Sequence, residues 1–332
     1  MTDSQPVSSS TQSPAPGRPK PRWLLLIILA LLMTLIGLVC TLAAMGARYH
    51  WTLDLFTHWK AHTAGGLLIP LVILLVLRRW KLAGIPLVLL LINALPVASL
   101  YLPASTPEVS SPTQVKLLLA NVHNQNKTPE LFIDLVRQQL PDVIAVLELH
   151  PNWVEPLQAI HVRYPYHMIV PRHDSFGIAV FSRHPILHQQ QLILAQSQVP
   201  TLDITLDIEG RPIQVIATHP LPPMSFHYTA TRNAHLQELA THVRTIDKPV
   251  IVLGDLNTTP WSPSFKDLLA QSGLKNSQQG HGIDASWPAG GGLMRIPIDH
   301  ILVSDTIKVT RRRLGPAIGS DHLPVLATVE IP

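Results

Sequence analysis

Cysteine and charge are both scarce in this sequence. Its 332 residues include one cysteine, and charged residues make up only 14% of them. A disulfide or a thiolate metal site needs more than one thiol, so neither can be built within the chain. The single cysteine, Cys40, lies in an apolar stretch, and the part of the chain that follows residue 102 has no thiol. This cysteine content suits an oxidising and a reducing compartment equally.

An excess of positive charge is missing from the larger, C-terminal part of the chain. Residues 1–102 contain eight Lys and Arg against two Asp and Glu, whereas residues 103–332 contain 17 against 19. The formal net charge of +4 therefore belongs to the N-terminal part alone. This distribution weakens any argument from overall charge to nucleic-acid binding.

Long apolar runs fill the N-terminal third. Residues 23–45 are almost uncharged and long enough to cross a bilayer as a helix. A second run, 63–77, is short for a span, and a third, 82–102, contains two prolines, which membrane helices tolerate. We therefore predict a transmembrane region over residues 23–102, preceded by a disordered cytoplasmic tail, residues 1–22, that is rich in Ser, Thr, Pro and Gln.

Basic clusters set the predicted orientation of these helices. Clusters at residues 18–22 and 78–81 would both be cytoplasmic if three helices cross the membrane in alternation. The chain would then leave the third helix on the periplasmic or outer side. Two alternatives stay open: cleavage of a signal peptide near residues 43–47, and failure of the second run to span, which would return the globular part to the cytoplasm.

The rest of the chain has the pattern of an α+β domain. Residues 103–113 are rich in Pro, Ser and Thr, which predicts a stiff, extended linker. Over residues 114–332, at least eight strand candidates accompany amphipathic helical patterns at 129–140 and 231–243. Mixed sheets with helices outside fit a sandwich of two sheets between helical layers.

Polar side chains occur at the ends of the predicted buried strands or within them. Such strand ends lie where a rigid scaffold meets solvent, the place where catalytic sites are built. A carboxylate buried without a partner costs roughly several kcal/mol, so these acids need a cation or each other. The residues concerned are Asn121, Glu148, His219, Asp255, Asn257, Asp299, Asp321 and His322.

The order of these residues resembles the endonuclease/exonuclease/phosphatase superfamily. The similarity runs from about Val115 to Pro332 and includes two specific motifs, Gly254 to Asn257 followed by Pro260, and Ser320 to His322 followed by Pro324. The strand from Gly177 to Arg183 is also similar. Bacterial membrane-anchored members are the most similar, because the Thr-Pro-Trp-Ser of residues 259–262 follows the first motif in them as it does here.

This resemblance implies a fold, a location and an activity. The fold would be a four-layer αββα sandwich of the DNase type, preceded by the N-terminal transmembrane helices. The protein would be a multi-pass protein of the bacterial inner membrane, with its catalytic domain periplasmic or otherwise outside the cytoplasm. Its activity would be hydrolysis of phosphodiester bonds with a divalent cation, Mg²⁺ or else Mn²⁺ or Ca²⁺.

The resemblance also implies a role for each site residue. Glu148 would be the main metal ligand, with Asn121 beside it and Asp321 adding a ligand directly or through water. Asp255 would position and deprotonate the attacking water. Asn257 would contact the same water or phosphate as Asp255. His322 would contact the phosphate, with its imidazole oriented by Asp299. His219 would contact a second phosphoryl oxygen or the leaving group.

Some positions depart from the family pattern. His123 stands where abasic-site endonucleases have an acidic residue, and Pro220 to Pro223 replace an Asn or His of some branches. Arg232 and Arg311 to Arg313 are further candidates for phosphate contact. However, three successive arginines on a strand are more typical of a solvated edge or an anionic-lipid contact.

Three classes of function remain to be compared. The first class is a phosphodiesterase, whose substrate is either nucleic acid or phospholipid. The membrane tether and the slightly acidic domain favour a phospholipid-headgroup hydrolase of sphingomyelinase type. The many nucleases of the superfamily favour nucleic acid. A non-catalytic membrane protein that binds phosphorylated ligands is the second class. The third, transport, is disfavoured because the three predicted spans contain no Asp, Glu, Lys, Arg or His. Besides the bilayer, the sequence indicates no obligate protein partner.

Overall fold

The computed structural model describes residues 22–103 and 113–332. The predicted tail (1–22) and linker (103–113) therefore lie, apart from residues 22, 103 and 113, outside the described residues. Within the described residues, four N-terminal helices precede two packed sheets that carry helices on their outer faces.

The N-terminal helices are α1 (Arg22–Met45), α2 (Trp51–His58), α3 (Lys60–Val76) and α4 (Trp80–Ala98). Within the described ranges, α1 and α4 with its short extension to Tyr101 are each long and apolar enough to cross a membrane. The short α2 and the longer α3 meet at a bend of 65° and meet the same criterion only as a pair. The helices thus provide two candidate spans, or three if the bent pair counts as one.

Exposed aliphatic side chains cover the outside of α1, α3 and α4. Ile36, Val72 and Leu95 are more than half exposed, and many neighbours on these helices resemble them. The faces between the helices are closely packed, since a Cβ atom added at Gly37 of α1 would lie 2.4 Å from a methyl carbon of Leu67. An apolar outer surface of this extent is unusual for a protein surface in water.

The two ends of the helix bundle differ. At one end, where α1 begins and α3 ends, the Arg79 guanidinium lies 5.3 Å from the centre of the Trp23 ring. At the opposite end, the backbone N–H of Gly280 in the globular part donates to the Leu100 carbonyl just after α4, at 2.8 Å. Helices α1, α3 and α4 therefore each run between a basic end and the end that meets the globular domain.

The globular part contains twelve strands and four helices. The helices are α5 (Pro129–Gln139), α6 (Val154–His161), α7 (Phe226–Arg244) and α8 (Pro263–Ser272). The strands are β1 (Thr113–Asn121), β2 (Val143–Leu147), β3 (Tyr166–Val170), β4 (Ile178–Ser182), β5 (Ile186–Ile193), β6 (Pro200–Ile208), β7 (Arg211–Thr218), β8 (Val250–Asp255), β9 (Lys275–Asn276), β10 (Asp299–Val303), β11 (Lys308–Leu314) and β12 (Val325–Ile331).

These strands form two six-stranded mixed sheets, ordered β11-β12-β1-β2-β4-β3 and β5-β6-β7-β8-β10-β9. The main core lies between the sheets, while α5 and α6 cover the outer face of the first sheet and α7 and α8 that of the second. Central strands are buried on both faces, which explains their nearly continuous apolar sequences. The predicted four-layer αββα sandwich is confirmed.

Strand direction brings the polar strand ends to one edge of the sandwich. β1 runs parallel to β2, and β7 runs parallel to β8, so the carboxyl ends of each pair lie side by side. β10 and β12 run antiparallel to β8 and β1, which places their starting residues at the same edge. Strands β7 and β8 approach each other closely at Gly254. A Cβ atom added at this residue would lie only 2.5 Å from the Thr218 carbonyl oxygen.

A buried ion pair fastens α2 to the globular domain. Arg232 Nη2 on α7 donates to Asp54 Oδ2 at 2.7 Å, and both side chains are almost completely buried. Ser262 Oγ donates to the other carboxylate oxygen of Asp54 at 2.7 Å. Arg232 Nη1 also donates to the Asn257 carbonyl at 2.9 Å. The suggested phosphate contact of Arg232 is therefore wrong, because its guanidinium is occupied in joining three segments of the protein.

The Thr-Pro-Trp-Ser motif lies at this same junction. Trp261 Nε1 donates to the Pro96 carbonyl of α4 at 3.3 Å, and Ser262 contacts Asp54 of α2. Two residues of the motif thus hold two different N-terminal helices. In this protein the motif serves to dock the globular domain on the helix bundle.

Substitution of Asp54 tests the buried ion pair. Asp54→Ala leaves the Arg232 guanidinium buried without its anion, so we expect the free energy of unfolding to fall by about 3–5 kcal/mol. Thermal unfolding of the full chain in detergent micelles measures the change. Asp267→Ala is the matched control, because it breaks the exposed pair between Arg48 and Asp267 (2.7 Å) across the same junction. That control is expected to cost less than about 1 kcal/mol, and equal losses in the two variants would contradict the interpretation.

Candidate active site

All eight predicted site residues lie along the edge where the strand ends meet. Asn121 ends β1 and Glu148 directly follows β2, while His219 directly follows β7 and Asp255 ends β8. The others lie close in sequence to these strand ends or to the beginnings of the antiparallel strands: Asn257 follows β8, Asp299 begins β10, and Asp321 and His322 precede β12.

The carboxamide of Asn121 links the two sheets. Its Nδ2 atom lies 2.9 Å from Glu148 Oε1, on its own sheet, and 3.2 Å from Asp255 Oδ2, on the other. The same nitrogen is 3.4 Å from His322 Nε2. All four side chains are buried. One amide group therefore contacts an acid from each sheet together with an imidazole.

The backbone of Glu148 is held in an unfavourable conformation. Its φ angle is 58°, in the left-handed region that residues other than glycine rarely adopt, at a cost of about 1–2 kcal/mol. Its Oε2 atom accepts a hydrogen bond from the backbone N–H of Asn124 at 3.2 Å. Strain of this kind is concentrated at functional sites, where the surrounding structure sustains it.

Two carboxylates keep His322 protonated. His322 Nδ1 lies 2.8 Å from Asp299 Oδ2, and its Nε2 lies 3.6 Å from Asp255 Oδ2. Burial lowers the pKa of this imidazole, but the negative charges of Asp299 and Asp255 outweigh it and raise the pKa to about 10. The imidazolium in turn holds the pKa of Asp299 below its usual value, against the effect of burial. At neutral pH the site thus presents a cationic N–H group.

Asp255 is suited to accept a proton near neutral pH. Burial, together with the charge of Asp299, raises its pKa to about 6, although His322 and His219 act in the opposite direction. Its Oδ1 atom accepts the Asn257 backbone N–H at 3.0 Å, which holds the carboxylate in a fixed orientation. A general base works best when its pKa lies near the working pH.

His219 and Asn257 flank Asp255. His219 Nε2 lies 3.5 Å from Asp255 Oδ2, and its buried Nδ1 atom has no hydrogen-bond partner within the described ranges. Asn257 Nδ2 donates to the Pro220 carbonyl at 3.0 Å, so it ties the loop after β8 to the loop after β7. Its φ angle of 51° turns the chain sharply after the carboxylate.

Asp321 is the exposed member of the set. Its Oδ2 atom accepts a hydrogen bond from Trp287 Nε1 at 3.0 Å. Ser320, its neighbour in the motif, donates to the Asn121 carbonyl at 2.8 Å and accepts from the His322 backbone N–H at 3.0 Å. The hydroxyl of Ser320 thus fixes the distance between the first strand of one sheet and the histidine.

Six of the eight site residues line a cleft of about 510 Å³, whereas Asn121 and Asp299 lie behind its lining. One wall is polar and contains Glu148, Asp255, Asp321 and the two site histidines. The rest of the lining is largely apolar, and part of it comes from the helix bundle. The apolar and bundle residues are Leu55, His58, Trp59, Phe176, Pro222, Pro223, Met224, Trp287, Ile296 and Ile298.

The lining of the cleft fits a divalent cation. It contains three carboxylates, and among the described residues no Lys or Arg lines it to balance their charge. Oxygen donors of this kind suit Mg²⁺, Mn²⁺ or Ca²⁺. A second donor group, Asp255, Asp299 and His322, has its donor atoms within 4.8 Å of one another. In that group His322 Nδ1 already donates to Asp299 Oδ2 at 2.8 Å, and Glu148 likewise already accepts hydrogen bonds from Asn121 and from the Asn124 backbone.

The remaining candidate arginines lie outside the cleft. Arg312 is buried and donates to Ser277 Oγ at 3.0 Å and to the Asp299 carbonyl at 3.2 Å, and it also pairs with Asp284. The expectation that residues 311–313 form a solvated edge or a phosphate contact is wrong for Arg312. Alternation along β11 turns its side chain inward, where it supports the start of β10.

Two further histidines are packing residues. His235 Nε2 contacts Thr218 Oγ1 at 2.7 Å, and burial with the nearby His219 lowers the His235 pKa to about 3. His300 Nε2 contacts the Thr258 carbonyl at 2.8 Å, and burial lowers the His300 pKa to about 4. Both rings lie behind the strands that carry the site and do not line the cleft.

The comparison with protein families agrees with this geometry. A model of the Endonuclease/Exonuclease/phosphatase family matches residues 118–322, which is more than half of the chain. The chain belongs to this family. Members of the family hydrolyse phosphate esters with the help of divalent metals, so the prediction of a hydrolase of phosphodiesterase or nuclease type is confirmed. No curated protein matches the sequence.

Several solved structures share the fold at low sequence identity. A family protein from Bacteroides thetaiotaomicron has 14% identity and a TM-score of 0.58, over 67% of this chain and 100% of that one. Humanized D. rerio TDP2 has 16% identity and a TM-score of 0.56, over 65% and 98%. The human Nocturnin catalytic domain has 18% identity and a TM-score of 0.54, over 67% and 96%. At these identities the likeness concerns the fold alone.

Removal of the Asp299 charge tests the electrostatics around His322. In Asp299→Asn the anion that favours the imidazolium is lost, so we expect the His322 pKa to fall from about 10 toward its ordinary value. NMR titration of labelled histidines measures the pKa. The raised pKa stabilises the folded protein fully below pH 6.5, and this contribution disappears as the pH rises through 10. The variant should therefore lose more stability, relative to the natural protein, at pH 6 than above pH 10.

Asp305→Asn, a change at an exposed position, is the control and should leave the His322 titration as it is. An unaltered His322 pKa in Asp299→Asn would contradict the assignment of Asp299 as its orienting anion.

Proposed function

We propose that this protein is a membrane-anchored, divalent-metal-dependent phosphodiesterase. The observation that carries the proposal is the contact of Asn121 with both Glu148 and Asp255, at 2.9 and 3.2 Å, beside the doubly paired imidazole of His322. An acid for a hard cation, a base with a raised pKa and a cationic N–H donor thus meet in one acidic cleft. Hydrolysis of a phosphate ester needs these three elements together.

Each group has a defined task in the proposed reaction. Glu148, with Asn121 and Asp321, would hold the metal, Mg²⁺ or else Mn²⁺ or Ca²⁺, which supplies charge neutralisation at the phosphoryl oxygens when bound. Asp255 accepts a proton from the attacking water, and Asn257 holds that carboxylate through its backbone N–H. His322 donates to a phosphoryl oxygen and is oriented by Asp299. His219 donates to a second phosphoryl oxygen or to the leaving oxygen.

Phosphodiesters are the substrates that this arrangement supports best. A D. rerio TDP2 structure of the same fold is a complex with a single-strand DNA product, which is compatible with a cleft of this kind receiving a phosphate ester. In the present chain, Leu55, His58 and Trp59 of the helix bundle line part of the cleft. We therefore extend the proposal to a phosphodiesterase that works at a membrane.

The proposed membrane region comprises α1, the bent pair of α2 and α3, and α4, that is, residues 23–102. The exposed aliphatic side chains of these helices support insertion into lipid. The position of Arg79 at the end away from the globular domain supports an orientation with that end in the cytoplasm. Three crossings then place residues 114–332 on the periplasmic or outer side of a bacterial inner membrane.

Charge removal at Asp255 and Glu148 tests the catalytic roles. We expect Asp255→Asn to lower kcat by about 10²–10⁴-fold, because the base is lost. Hydrolysis of bis(4-nitrophenyl) phosphate by the full chain in detergent, with Mg²⁺ or with EDTA, measures the rate. Glu148→Gln should in addition weaken the binding of Mn²⁺, measured by calorimetry, about 10–100-fold. Asp305→Asn is the control for both changes.

Normal hydrolysis by Asp255→Asn would rule out its role as the base. If the natural protein binds Mn²⁺ but hydrolyses no phosphodiester, the alternative hypothesis of a non-catalytic protein that binds phosphorylated ligands replaces the enzyme.

Reporter fusions test the orientation. We expect alkaline phosphatase fused after residue 332 to be active, because this enzyme folds only outside the cytoplasm, and the same reporter fused after residue 79 to be inactive. Green fluorescent protein at the same two positions provides the reciprocal control. An inactive C-terminal phosphatase fusion with a fluorescent C-terminal counterpart would contradict three crossings.

A further inference from the structure

The helix bundle contributes residues to the catalytic cleft. Leu55, His58 and Trp59 line the same cleft as Asp255 and His322. These three residues lie about sixty positions before residue 118, where the match to the family begins, so they are an addition of this chain to the family's domain. The ion pair of Asp54 with Arg232 and its bond to Ser262 hold this segment in place.

His58 is a buried polar side chain without a partner. It is 5% exposed, and neither ring nitrogen forms a hydrogen bond within the described ranges. Most buried polar groups in proteins are paired, so an unpaired one requires an explanation. The ring lines the cleft but both nitrogens are closed off from water, so a polar group of a bound substrate would satisfy them after a small movement of the ring.

The remainder of this cleft wall favours an apolar ligand group. Leu55 and Trp59 line the cleft together with Met224, which comes from the loop after β7 and is 76% exposed. Exposed apolar side chains that converge on one cleft mark a binding surface. The ligand that matches this surface has a hydrocarbon portion next to its phosphate.

The charge of the cleft disfavours a long polyanion. Proteins that bind nucleic acids neutralise successive phosphates with Lys and Arg. No Lys or Arg is among the described residues that line this cleft, which instead contains three carboxylates. Trp59, Phe176 and Trp287 could stack on bases, but single-strand binders combine stacking with a basic groove. One metal-neutralised phosphate on an otherwise uncharged or apolar molecule fits better.

Aromatic residues place the mouth of the cleft at the level of a membrane surface. Tyr49 and Trp59 follow α1 and α2, and Tyr101 follows α4; all three are exposed near the end of the bundle that meets the globular domain. Tyr and Trp are enriched at the boundary between lipid and water. Trp59 belongs both to this group and to the lining of the cleft, so the cleft opens where a lipid headgroup would lie.

We propose that residues 51–59 complete the substrate site and that the substrate is a phospholipid in a bilayer, with His58 binding its polar linkage and Leu55 and Trp59 its hydrocarbon portion. This inference rests on the proposed phosphodiesterase activity and names its substrate class. In the reaction, the oxygen of water bonds to phosphorus and one phosphorus–oxygen ester bond breaks. The proton that Asp255 accepts from water goes to the departing alcohol, so the products are a phosphomonoester and an alcohol.

Comparison of three substrates tests the inference. The full chain is placed in detergent-free nanodiscs of phosphatidylglycerol and phosphatidylcholine with Mg²⁺, so that these lipids are one substrate, and bis(4-nitrophenyl) phosphate or a single-stranded oligonucleotide is added as the second. We expect hydrolysis of the phospholipid in preference to the oligonucleotide. His58→Ala and Leu55→Ser should each lower kcat/KM for the lipid about tenfold and change that for the small diester less than about threefold, since the latter lacks the groups that these residues bind.

Two variants serve as controls. His188→Ala changes an exposed histidine on the edge strand β5 and should leave the rates on all substrates as they are. His58→Gln keeps a hydrogen-bonding group and should restore most of the lipid activity that His58→Ala loses, which also separates a binding role from a folding defect.

The experiment distinguishes a failure of the proposed phosphodiesterase activity from a failure of the assignment of residues 51–59. If no phosphodiester is hydrolysed by the natural protein with metal, the proposed function itself is wrong. If the small diester is hydrolysed but the oligonucleotide is preferred to the lipid, or if His58→Ala and Leu55→Ser leave lipid hydrolysis unchanged, the activity stands and the assignment of residues 51–59 is overturned. An equal loss on lipid and small diester in His58→Ala, with unchanged Tm, overturns it as well.

Discussion

The structure depends on two buried acids, one from each sheet, that lie next to the same amide group. Parallel pairing of β1 with β2, and of β7 with β8, forces the carboxyl ends of four strands to one edge, where Glu148 and Asp255 lie on either side of the Asn121 amide. Neither acid has an arginine or lysine beside it in the cleft lining that the structure describes. The pair is therefore held by hydrogen bonds to the Asn121 amide and by the imidazole of His322, and its negative charge suits a divalent cation.

A second burial of charge joins the helix bundle to the catalytic domain. Asp54 reaches Arg232, and Arg232 also holds the carbonyl of Asn257, two residues after the proposed base. The bundle is consequently connected to the loop that follows β8 by two hydrogen-bonded contacts. Trp261 and Ser262 of the Thr-Pro-Trp-Ser segment contact helices of the bundle, whereas Asp255 and Asn257 of the motif that precedes it line the cleft.

Much of the fold and the composition of the site could be predicted, because local patterns in the amino-acid sequence indicate both. Apolar runs that end in Asn121, Glu148 or Asp255 mark buried strands and their tips. Contacts between distant segments could not be predicted in this way. His58 and Trp59 follow a short amphipathic stretch with no catalytic pattern, and their entry into the cleft depends on the Asp54–Arg232 contact, 178 residues apart. The left-handed backbone of Glu148 likewise results from tertiary packing.

Predictions from local sequence patterns were also wrong at two places where the placement of one side chain decides the local structure. Arg312 lies between two other arginines, yet strand alternation turns it inward. Helix α7 begins at Phe226, five residues before the predicted start, because the Ser225 hydroxyl accepts the Tyr228 N–H as an N-cap.

The anchoring of α2 by Arg232 also matters when the globular domain is produced without the helix bundle. Residues 114–332 produced alone would expose this guanidinium to water and lack one side of the cleft, so such a truncated protein would be a misleading reagent for finding the natural substrate.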